Sequence, residues 1–484
     1  MSELIAAPSD QVLRRLAAGT LLVAFQGTTA PDWVLHDLEN GLGGVTLFGF
    51  NVADPAQLSA LTSRLRDAGD PVISLDEEGG DVTRLAYHVG SPYPGNAALG
   101  AVDDVELTRR VYRSIGDDLA RCGINLDMAP SADVNTADDN PVIGTRSFGS
   151  DTALVSRHTV AAVHGLQSAR VAACVKHFPG HGATRQDSHL EIPLVDASAE
   201  LLRERELVPF RAAIEAGTMS IMTAHVRVPS VTGTEPATLS AAALGGLLRG
   251  ELGYDGVIVT DALDMHAITE SVGLAGGAVL SLAAGADLLC LGPLPTQEDV
   301  RAIVDEIVAA VLDGRLPAER LEASAARVAK LRSWFGSSQP ERAEESMIGL
   351  TAARRAVTLT GSTSPLVDPL VVEMETPPTI AVGDVPWGFA PLMPQAEVVR
   401  VKPEEADVPN ILERASGRSL VVVVKDAHRY EISQSVVSAV LAARPDTTVV
   451  EMGLPIWRPK GATYLATYGA ARANAQAAAE LLSI

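Results

Sequence analysis

The chain has 484 residues, a formal net charge of −22 and 47% apolar residues. This length exceeds one average domain and predicts two domains with a large buried core. The negative charge argues against binding to nucleic acid or to anionic membrane surfaces.

There is no run of about 18 apolar residues, so no membrane span is predicted. Nor do we find a secretory signal near the start, because Gln26 and Asp32 closely follow the apolar run LLVAF. We therefore expect a cytoplasmic protein. Three widely spaced cysteines, Cys122, Cys174 and Cys290, fit reduced, buried thiols.

Short apolar runs alternate with longer amphipathic segments in the first two thirds of the chain. The runs are TLLVAFQG (20–27), GGVTLFGF (43–50), PVISLDEEGG (71–80), INLDMAPSADV (124–134), VAACVKHFPG (171–180), SIMTAHVRV (220–228), GVIVTDAL (256–263) and ADLLCLGP (286–293). They have the apolar character of buried parallel strands. Helical patterns between them, such as DDVELTRRVYRSIGDDLARCG, close with glycine. Eight strands separated by helices over about 300 residues predict an α/β fold, a (β/α)8 TIM barrel, with a doubly wound open sheet as the alternative.

A second, smaller domain is predicted after the barrel. The polar segment WFGSSQPERAEES (334–346) is typical of a linker and leads into a helical pattern that ends near Arg355. Five further strand-like runs follow: LVVEMET (370–376), EVVRVKP (397–403), SLVVVVKDA (419–427), TTVVEMG (447–453) and TYLATYG (463–469). We therefore predict a catalytic barrel over residues 1–335, a linker and connecting helix over 336–365, and an α/β sandwich domain over 366–484.

Polar side chains occur where the predicted barrel strands end. In a barrel these carboxyl ends form one face, and catalytic groups gather there. An open sheet would instead spread them along an edge. The residues at these positions are Asp76, Asp127, Lys176, His177, His225 and Asp261.

The segment KHFPGHGATRQDSH (176–189) concentrates residues suited to proton transfer. Proline and glycines prevent a helix from starting at once, which predicts a long loop carrying DSH at its tip. Asp187 lies two residues before His189, close enough to orient the imidazole and raise its pKa, so that His189 can exchange protons near neutral pH. One alternative is a polar loop with incidental histidines. Another is a metal site at His177, His181, Asp187 and His189, but their spacing matches no compact histidine-pair motif.

A carboxylate that could act with this loop is Asp261, at the end of the seventh strand-like run VIVTDALDM. An aspartate in this position is often the N-cap of the following helix. Asp264 competes for that capping role, which leaves Asp261 to face the barrel mouth.

Two other loops carry candidate binding residues. DEEGGDVTR places Asp76 at a strand terminus, followed by two glycines and by Arg84. NPVIGTRSFGSD places Arg146 in a loop rich in glycine and serine, where a guanidinium can donate two hydrogen bonds to a polar ligand. A solvated turn is the alternative for the first loop.

Together these segments resemble family 3 glycoside hydrolases, specifically the NagZ-type β-N-acetylglucosaminidases in a two-domain form. KHFPGHGATRQDSH is close to the family's KHFPGHG-x-T-x-x-DSH, and the supporting motifs DEEGGDVTR, NPVIGTRSFG, MTAHV and VTDALDM follow the family's order. The resemblance extends from the first strand to about residue 335. Two positions depart from the family pattern: Ala183 stands where many relatives have Asp after HG, and Ala262 where many have a second Asp.

The resemblance implies a role for each candidate residue. Asp261 would be the nucleophile and His189, oriented by Asp187, the acid/base. The residues implied to bind the terminal sugar are Asp76, Arg84, Arg146, Lys176 and His177. No metal or other cofactor is implied.

The implied function is a retaining exo-β-N-acetylglucosaminidase that forms a glycosyl-aspartate. Its expected substrates are peptidoglycan fragments or chito-oligosaccharides. One alternative is a phosphorylase that uses the same residues, because a histidine acid/base repels phosphate less than a carboxylate does. A β-glucosidase is another, although that subgroup typically takes its acid/base from the second domain. A third is a non-catalytic sugar-binding protein, which would have lost the nucleophile or the acid/base.

Overall fold

A parallel barrel forms the first domain in the computed structural model, which describes residues 9–186, 192–335, 345 and 347–483. Within these residues, eight strands pair in parallel in the order β7-β6-β5-β4-β3-β2-β1-β8. A further parallel bridge, Val259 to Leu288, joins the two end strands. The predicted barrel is therefore confirmed. Its strands are β1 Leu21–Val23, β2 Gly44–Thr46, β3 Val72–Leu75, β4 Leu126–Asp127, β5 Ala172–Phe178, β6 Ser220–Thr223, β7 Val257–Val259 and β8 Leu289–Cys290.

Helices alternate with the strands, and the longer ones bury apolar residues. The helix Val105–Arg121 shows how the sequence specifies this: Asp104 caps its N-terminus by accepting from the amide of Leu107 at 3.0 Å. Its buried residues include Leu107, Val111, Ile115 and Leu119, which recur every four positions on one face. The helices of this domain are Asp10–Ala18, Asp32–Glu39, Pro55–Asp67, Asn96–Val102, Val105–Arg121, Thr152–Ser168, Ala199–Leu201, Leu202–Glu206, Leu207–Glu215, Pro229–Thr232, Ala242–Glu251, His266–Val272, Leu274–Ala284, Gln297–Leu312 and Ala318–Phe335.

A buried carboxylate holds the seam between β7 and β8. Asp287 is fully buried, and its Oδ2 accepts from the amide of Ile258 at 3.0 Å. It also contacts three guanidinium groups: those of Arg249, of Arg320 at 2.9 Å and of Arg327 at 3.6 Å. Removing one side of a buried ion pair leaves uncompensated charge. The seam therefore depends on Asp287.

The second domain is a mixed six-stranded sheet between helices. In its order, β11-β10-β12-β13-β14-β9, only the pairing of β9 with β14 is antiparallel. Alternate strand residues face opposite sides: Val422 packs towards the helices Val408–Arg414 and Glu431–Ala443, and Val421 towards Arg472–Leu482. The strands are β9 Thr358–Thr360, β10 Leu370–Met374, β11 Glu397–Val401, β12 Leu420–Val424, β13 Thr448–Glu451 and β14 Thr463–Ala466.

Several contacts join the domains. The helix Ile348–Ala356 packs Ile348 and Ala352 into the barrel core. The predicted connecting segment 336–365 also contributes β9 to the second sheet, which therefore begins before residue 366. Asp81, in the loop after β3, accepts from the amide of Ala470 at 2.7 Å and lies 3.5 Å from the ammonium of Lys425.

Among the described residues, no single helix is long and apolar enough to cross a membrane; the pair His266–Val272 and Leu274–Ala284 passes the same test only together and is bent by 99°.

We expect Asp287→Ala to lower the free energy of unfolding by about 3 kcal/mol, because three partly buried guanidinium groups lose their anion and the amide of Ile258 loses its acceptor. Asp255→Ala is the matched control, since Asp255 contacts Arg327 at 3.1 Å but its side chain is 77% exposed. This control should cost less than about 1 kcal/mol. Urea denaturation of both variants measures the difference, and equal losses would contradict the role of Asp287 at the seam.

Candidate functional site

The barrel mouth contains a cavity of about 420 Å³. It lies at the carboxyl ends of the strands, where the polar residues were predicted to gather. Of the eight predicted site residues, six line this cavity: Asp76, Arg84, Arg146, Lys176, His177 and Asp261. The other two, Asp187 and His189, lie outside the described residues.

Lys176 is a buried cation at the end of β5. Its Nζ contacts Asp76 Oδ1 at 2.6 Å and Glu78 Oε1 at 2.8 Å, and only 1% of the residue is exposed. Burial alone would lower its pKa, but the two carboxylates raise the pKa above its ordinary value. Lys176 therefore stays charged inside the barrel.

Arg146 makes a bidentate pair with the same carboxylate. It ends the short turn Gly144–Arg146, and its Nε and Nη2 donate to Glu78 Oε2 and Oε1 at 2.9 and 2.7 Å. Burial would raise the pKa of Glu78, but Arg146 and Lys176 lower that pKa well below its usual range. One ionised carboxylate thus holds two cations in fixed positions.

His177 is oriented by Asp133. Its Nδ1 lies 2.7 Å from Asp133 Oδ2, and its Nε2 lies 3.3 Å from Arg146 Nη2. Burial would raise the pKa of Asp133, but His177 lowers it to about 2. Because an ionised carboxylate only accepts and a guanidinium only donates, the ring hydrogen lies on Nδ1 and Nε2 accepts. This arrangement fixes the plane of the imidazole.

Asp261 lies in the same cavity, just after β7. Its Oδ1 accepts from the amide of Ala262 at 2.8 Å. The carbonyl of Ala262 in turn accepts from His225 Nε2 at 2.9 Å, and His225 Nδ1 is 2.8 Å from the Thr238 hydroxyl. His225 was predicted to lie on the catalytic face; its described contacts place it as a support of the loop that carries Asp261.

The predicted capping role of Asp264 is wrong. The helix His266–Val272 has Met265 at its N-cap and no side-chain cap. Asp264 instead accepts from the amide of Leu294 at 2.9 Å and so links the loops after β7 and β8. It lines the cavity together with Asp261.

Asp127 does not line this cavity, although it ends β4. Its Oδ1 accepts from the amide of Glu77 at 2.9 Å, and its pKa is raised well above the usual range by burial. Its described contact is therefore structural, in the loop after β3.

Arg84 reaches the second domain. Its Nη2 donates to the carbonyl of Ala381 at 2.7 Å and its Nη1 to that of Val382 at 3.4 Å. Nη2 also lies 3.9 Å from Asp76 Oδ2. We call residues 376–386, which carry these carbonyls, the strap. Arg84 is thus held between the strap and the barrel.

The prediction missed Glu78 and Asp133. Lys176 and Arg146 together carry two buried positive charges, and buried charges require paired carboxylates. Asp76 alone would have neutralised only one of these two charges. The second glutamate of DEEGG could therefore have been predicted as the other carboxylate. Asp133 had a weaker one, as a polar residue within the fourth strand-like run.

His181 gives no support for a metal site. Its Nδ1 lies 2.7 Å from the Thr184 hydroxyl, and burial lowers the pKa of the ring from 6.5 to about 4. No group of three metal-ligating side chains occurs in the part of the chain that the structure describes. Two members of the proposed set, Asp187 and His189, lie outside that part.

A second cavity of about 420 Å³ lies between the domains and is also lined by the strap. It contains Trp387, whose ring is 4.7 Å from the guanidinium carbon of Arg400. Asp261 and Lys176 line the barrel cavity and not this one. We therefore place the candidate active site in the barrel.

The buried His181 predicts an acid sensitivity. Its folded pKa is lowered, so the unfolded chain binds the proton first and stability falls as the pH decreases through 6.5 towards 4. Between pH 7 and pH 5 the wild type should lose about 2 kcal/mol more free energy of unfolding than His181→Gln. The exposed His164→Gln serves as the control and should follow the wild type. Denaturation at both pH values measures this; parallel losses in wild type and His181→Gln would contradict it.

Comparison with known proteins identifies the family of the chain. Residues 23–331 match the family model described as glycosyl hydrolase family 3 N terminal domain. The chain is 34% identical over 342 residues to Beta-hexosaminidase A of Pseudoalteromonas piscicida, covering 65% of this chain and 57% of that protein. It is 38% identical over 269 residues to Beta-hexosaminidase LpqI of Mycobacterium tuberculosis, covering 54% of this chain and 67% of that protein. The chain thus spans little more than half of the length of the first relative.

A solved structure covers almost the whole chain. It is a glycoside hydrolase family 3 β-N-acetylglucosaminidase from Paenibacillus sp. str. FPU-7, with a TM-score of 0.86 and 34% identity. The alignment covers 97% of this chain and 96% of that one. From the family match over residues 23–331, the chain belongs to glycosyl hydrolase family 3.

Proposed function

We propose that the protein is a retaining exo-β-N-acetylglucosaminidase that removes terminal β-linked N-acetylglucosamine through a covalent intermediate on Asp261. One observation carries the proposal: Asp261 shares a cavity with the buried pairs formed by Lys176 and Asp76 and by Arg146 and Glu78. Paired charges of this kind bind hydroxyl groups without requiring a charged substrate, which suits a neutral sugar beside a nucleophilic carboxylate.

The proposed sugar contacts follow from the remaining hydrogen-bonding capacity. Lys176 has three N–H donors, and two contacts to carboxylates leave one for a sugar hydroxyl. Asp76 gives Oδ1 to Lys176 and retains Oδ2, and its side chain is 21% exposed. In this proposal Asp76 accepts from ring hydroxyls, while Arg84, Arg146 and His177 line the same sugar-binding site.

The proposed reaction has two displacement steps. The Asp261 carboxylate attacks the anomeric carbon, the glycosidic C–O bond breaks, and protonated His189 gives its proton to the leaving oxygen. Neutral His189 then takes a proton from water, which attacks the glycosyl-aspartate and releases the sugar with Asp261 restored. Asp187 orients the imidazole. Two inversions give net retention, with an imidazole in place of the second carboxyl group of most retaining glycosidases.

The rival functions are less well supported. Among the described residues that line the barrel cavity, Ile380 and Ala381 come from the second domain, and neither has a titratable side chain. This disfavours a β-glucosidase that takes its acid/base from that domain. A non-catalytic sugar-binding protein would not need Asp261, which lies in the cavity.

The candidate natural substrates are peptidoglycan fragments and chito-oligosaccharides that end in β-N-acetylglucosamine. The acceptor is proposed to be water. Phosphate is the second candidate, because the neutral imidazole that remains after the first step would not repel an anion as a carboxylate does.

Asp261→Asn should lower kcat by about 10⁴-fold or more, because an amide is a poor nucleophile. Asp264→Asn is the matched control: it is the same change in the same cavity, and the amide oxygen still accepts from Leu294. We expect it to keep most of the activity. A fluorinated N-acetylglucosaminide should label Asp261 in the wild type, as read by mass spectrometry of peptides. Labelling of any other residue would refute the assignment.

A product assay tests substrate and acceptor together. Wild-type protein should release N-acetylglucosamine from chitobiose or from the N-acetylglucosamine–N-acetylmuramic acid disaccharide, with a rate that does not depend on phosphate. Strong activation by phosphate, with N-acetylglucosamine 1-phosphate as the product, would establish the phosphorylase instead. No cleavage of either disaccharide or of a chromogenic N-acetylglucosaminide would contradict both.

A further inference from the structure

The strap crosses from the second domain to the barrel mouth. Three hydrogen bonds hold it there: the two from Arg84 to the carbonyls of Ala381 and Val382, and one from the amide of Asp384 to the Tyr87 hydroxyl at 3.1 Å. The position of the strap is therefore set by the loop after β3, which also carries Asp76. This loop and the strap form adjoining parts of one cavity wall.

The part of the strap that lines the barrel cavity is apolar. Ile380 and Ala381 both line it, and 62% of Ile380 is exposed. On the barrel side, Leu294 lines the same cavity and is 75% exposed. Single exposed apolar side chains are ordinary, but two that line one cavity from different domains can both contact a ligand bound there.

The backbone beside each of these two side chains is held by a hydrogen bond. The amide of Leu294 donates to Asp264 at 2.9 Å, and the carbonyl of Ala381, next to Ile380, accepts from Arg84 at 2.7 Å. A surface that is already in place costs little ordering when a ligand binds. Its two apolar members are thus presented at the cavity before substrate arrives.

We propose that Ile380 and Leu294 form the wall against which the leaving group of the substrate packs. The inference rests on the proposed function. The terminal sugar is assigned to the polar part of the cavity, where Lys176 is 1% exposed, and the leaving group must lie towards solvent. The exposed apolar pair occupies that outer position. The wall suits a leaving group with a flat apolar face, such as the C–H face of a second pyranose or an aryl ring.

The proposal gives the second domain a direct part in specificity. A fluoride leaving group is a single atom and cannot reach the wall, whereas a 4-nitrophenyl group can. Substitution of Ile380 should therefore separate the two substrates. A role in binding the terminal sugar, or in folding, would affect both alike.

The test compares kcat/KM for 4-nitrophenyl N-acetyl-β-glucosaminide and for N-acetyl-β-glucosaminyl fluoride. With Ile380→Ser and with Leu294→Ser we expect the aryl glycoside to lose about five- to tenfold, because a buried apolar contact of this size is worth about that factor. The fluoride should change less than twofold. Ile432→Ser is the control, since Ile432 is 54% exposed in the same domain and does not line the cavity.

Two other results would contradict the proposed leaving-group contact. Equal losses on both substrates, or no loss on either, would overturn the wall as a leaving-group contact. Ile380→Leu should retain the aryl activity, which separates lost contact from lost structure. Failure of the wild type to cleave both substrates would instead contradict the proposed function and leave the wall without a role.

Discussion

The site depends on one buried electrostatic constraint: two cations inside the barrel need carboxylates at contact distance. Glu78 pairs with both Lys176 and Arg146, and Asp76 pairs with Lys176 again. Ion pairs in this setting contribute little net stability, because desolvation offsets most of their attraction. What they provide is position. Each cation has its head group fixed by charge-assisted hydrogen bonds, so the protein's own ion pairs hold the donors and acceptors of the cavity in place.

The barrel topology brings together site residues that are far apart in the sequence. Asp76 and Glu78 follow β3, Lys176 lies in the last half of β5 and Asp261 follows β7, so residues nearly two hundred positions apart meet at one face. Strand closure between β7 and β8, which involves Asp287, completes the ring of strands that carries these ends. The residue that stabilises the seam is thus different from the residues proposed to act at the barrel mouth, although the same ring of strands carries both.

Much of this was predictable from the sequence, and the failures have physical reasons. The strand runs and their polar ends predicted the barrel and a common location for Asp76, Lys176 and Asp261, because strand period and parallel topology are local signals. The hydrogen-bond partner of a side chain, in contrast, is not determined by the neighbouring sequence. Asp264 was expected to cap a helix but bonds the amide of Leu294, a pairing set by the packing of two loops. Arg84 was expected to bind the sugar, and no local pattern reveals that a carbonyl from another domain lies beside it.

The loop after β3 couples the two domains to the chemistry. Within nine residues it carries Asp76 and Glu78, which hold the cavity cations, and Asp81 and Arg84, which bond the second domain. Glu77 makes this loop stiff: its Oε2 accepts from the Thr83 hydroxyl and from two successive amides, all at 2.9 Å. A shift of the second domain would therefore be transmitted through a short, internally bonded segment to the carboxylates beside Lys176. On this argument the second domain is part of the cavity's structure, and the positions of the barrel's own charges depend on it.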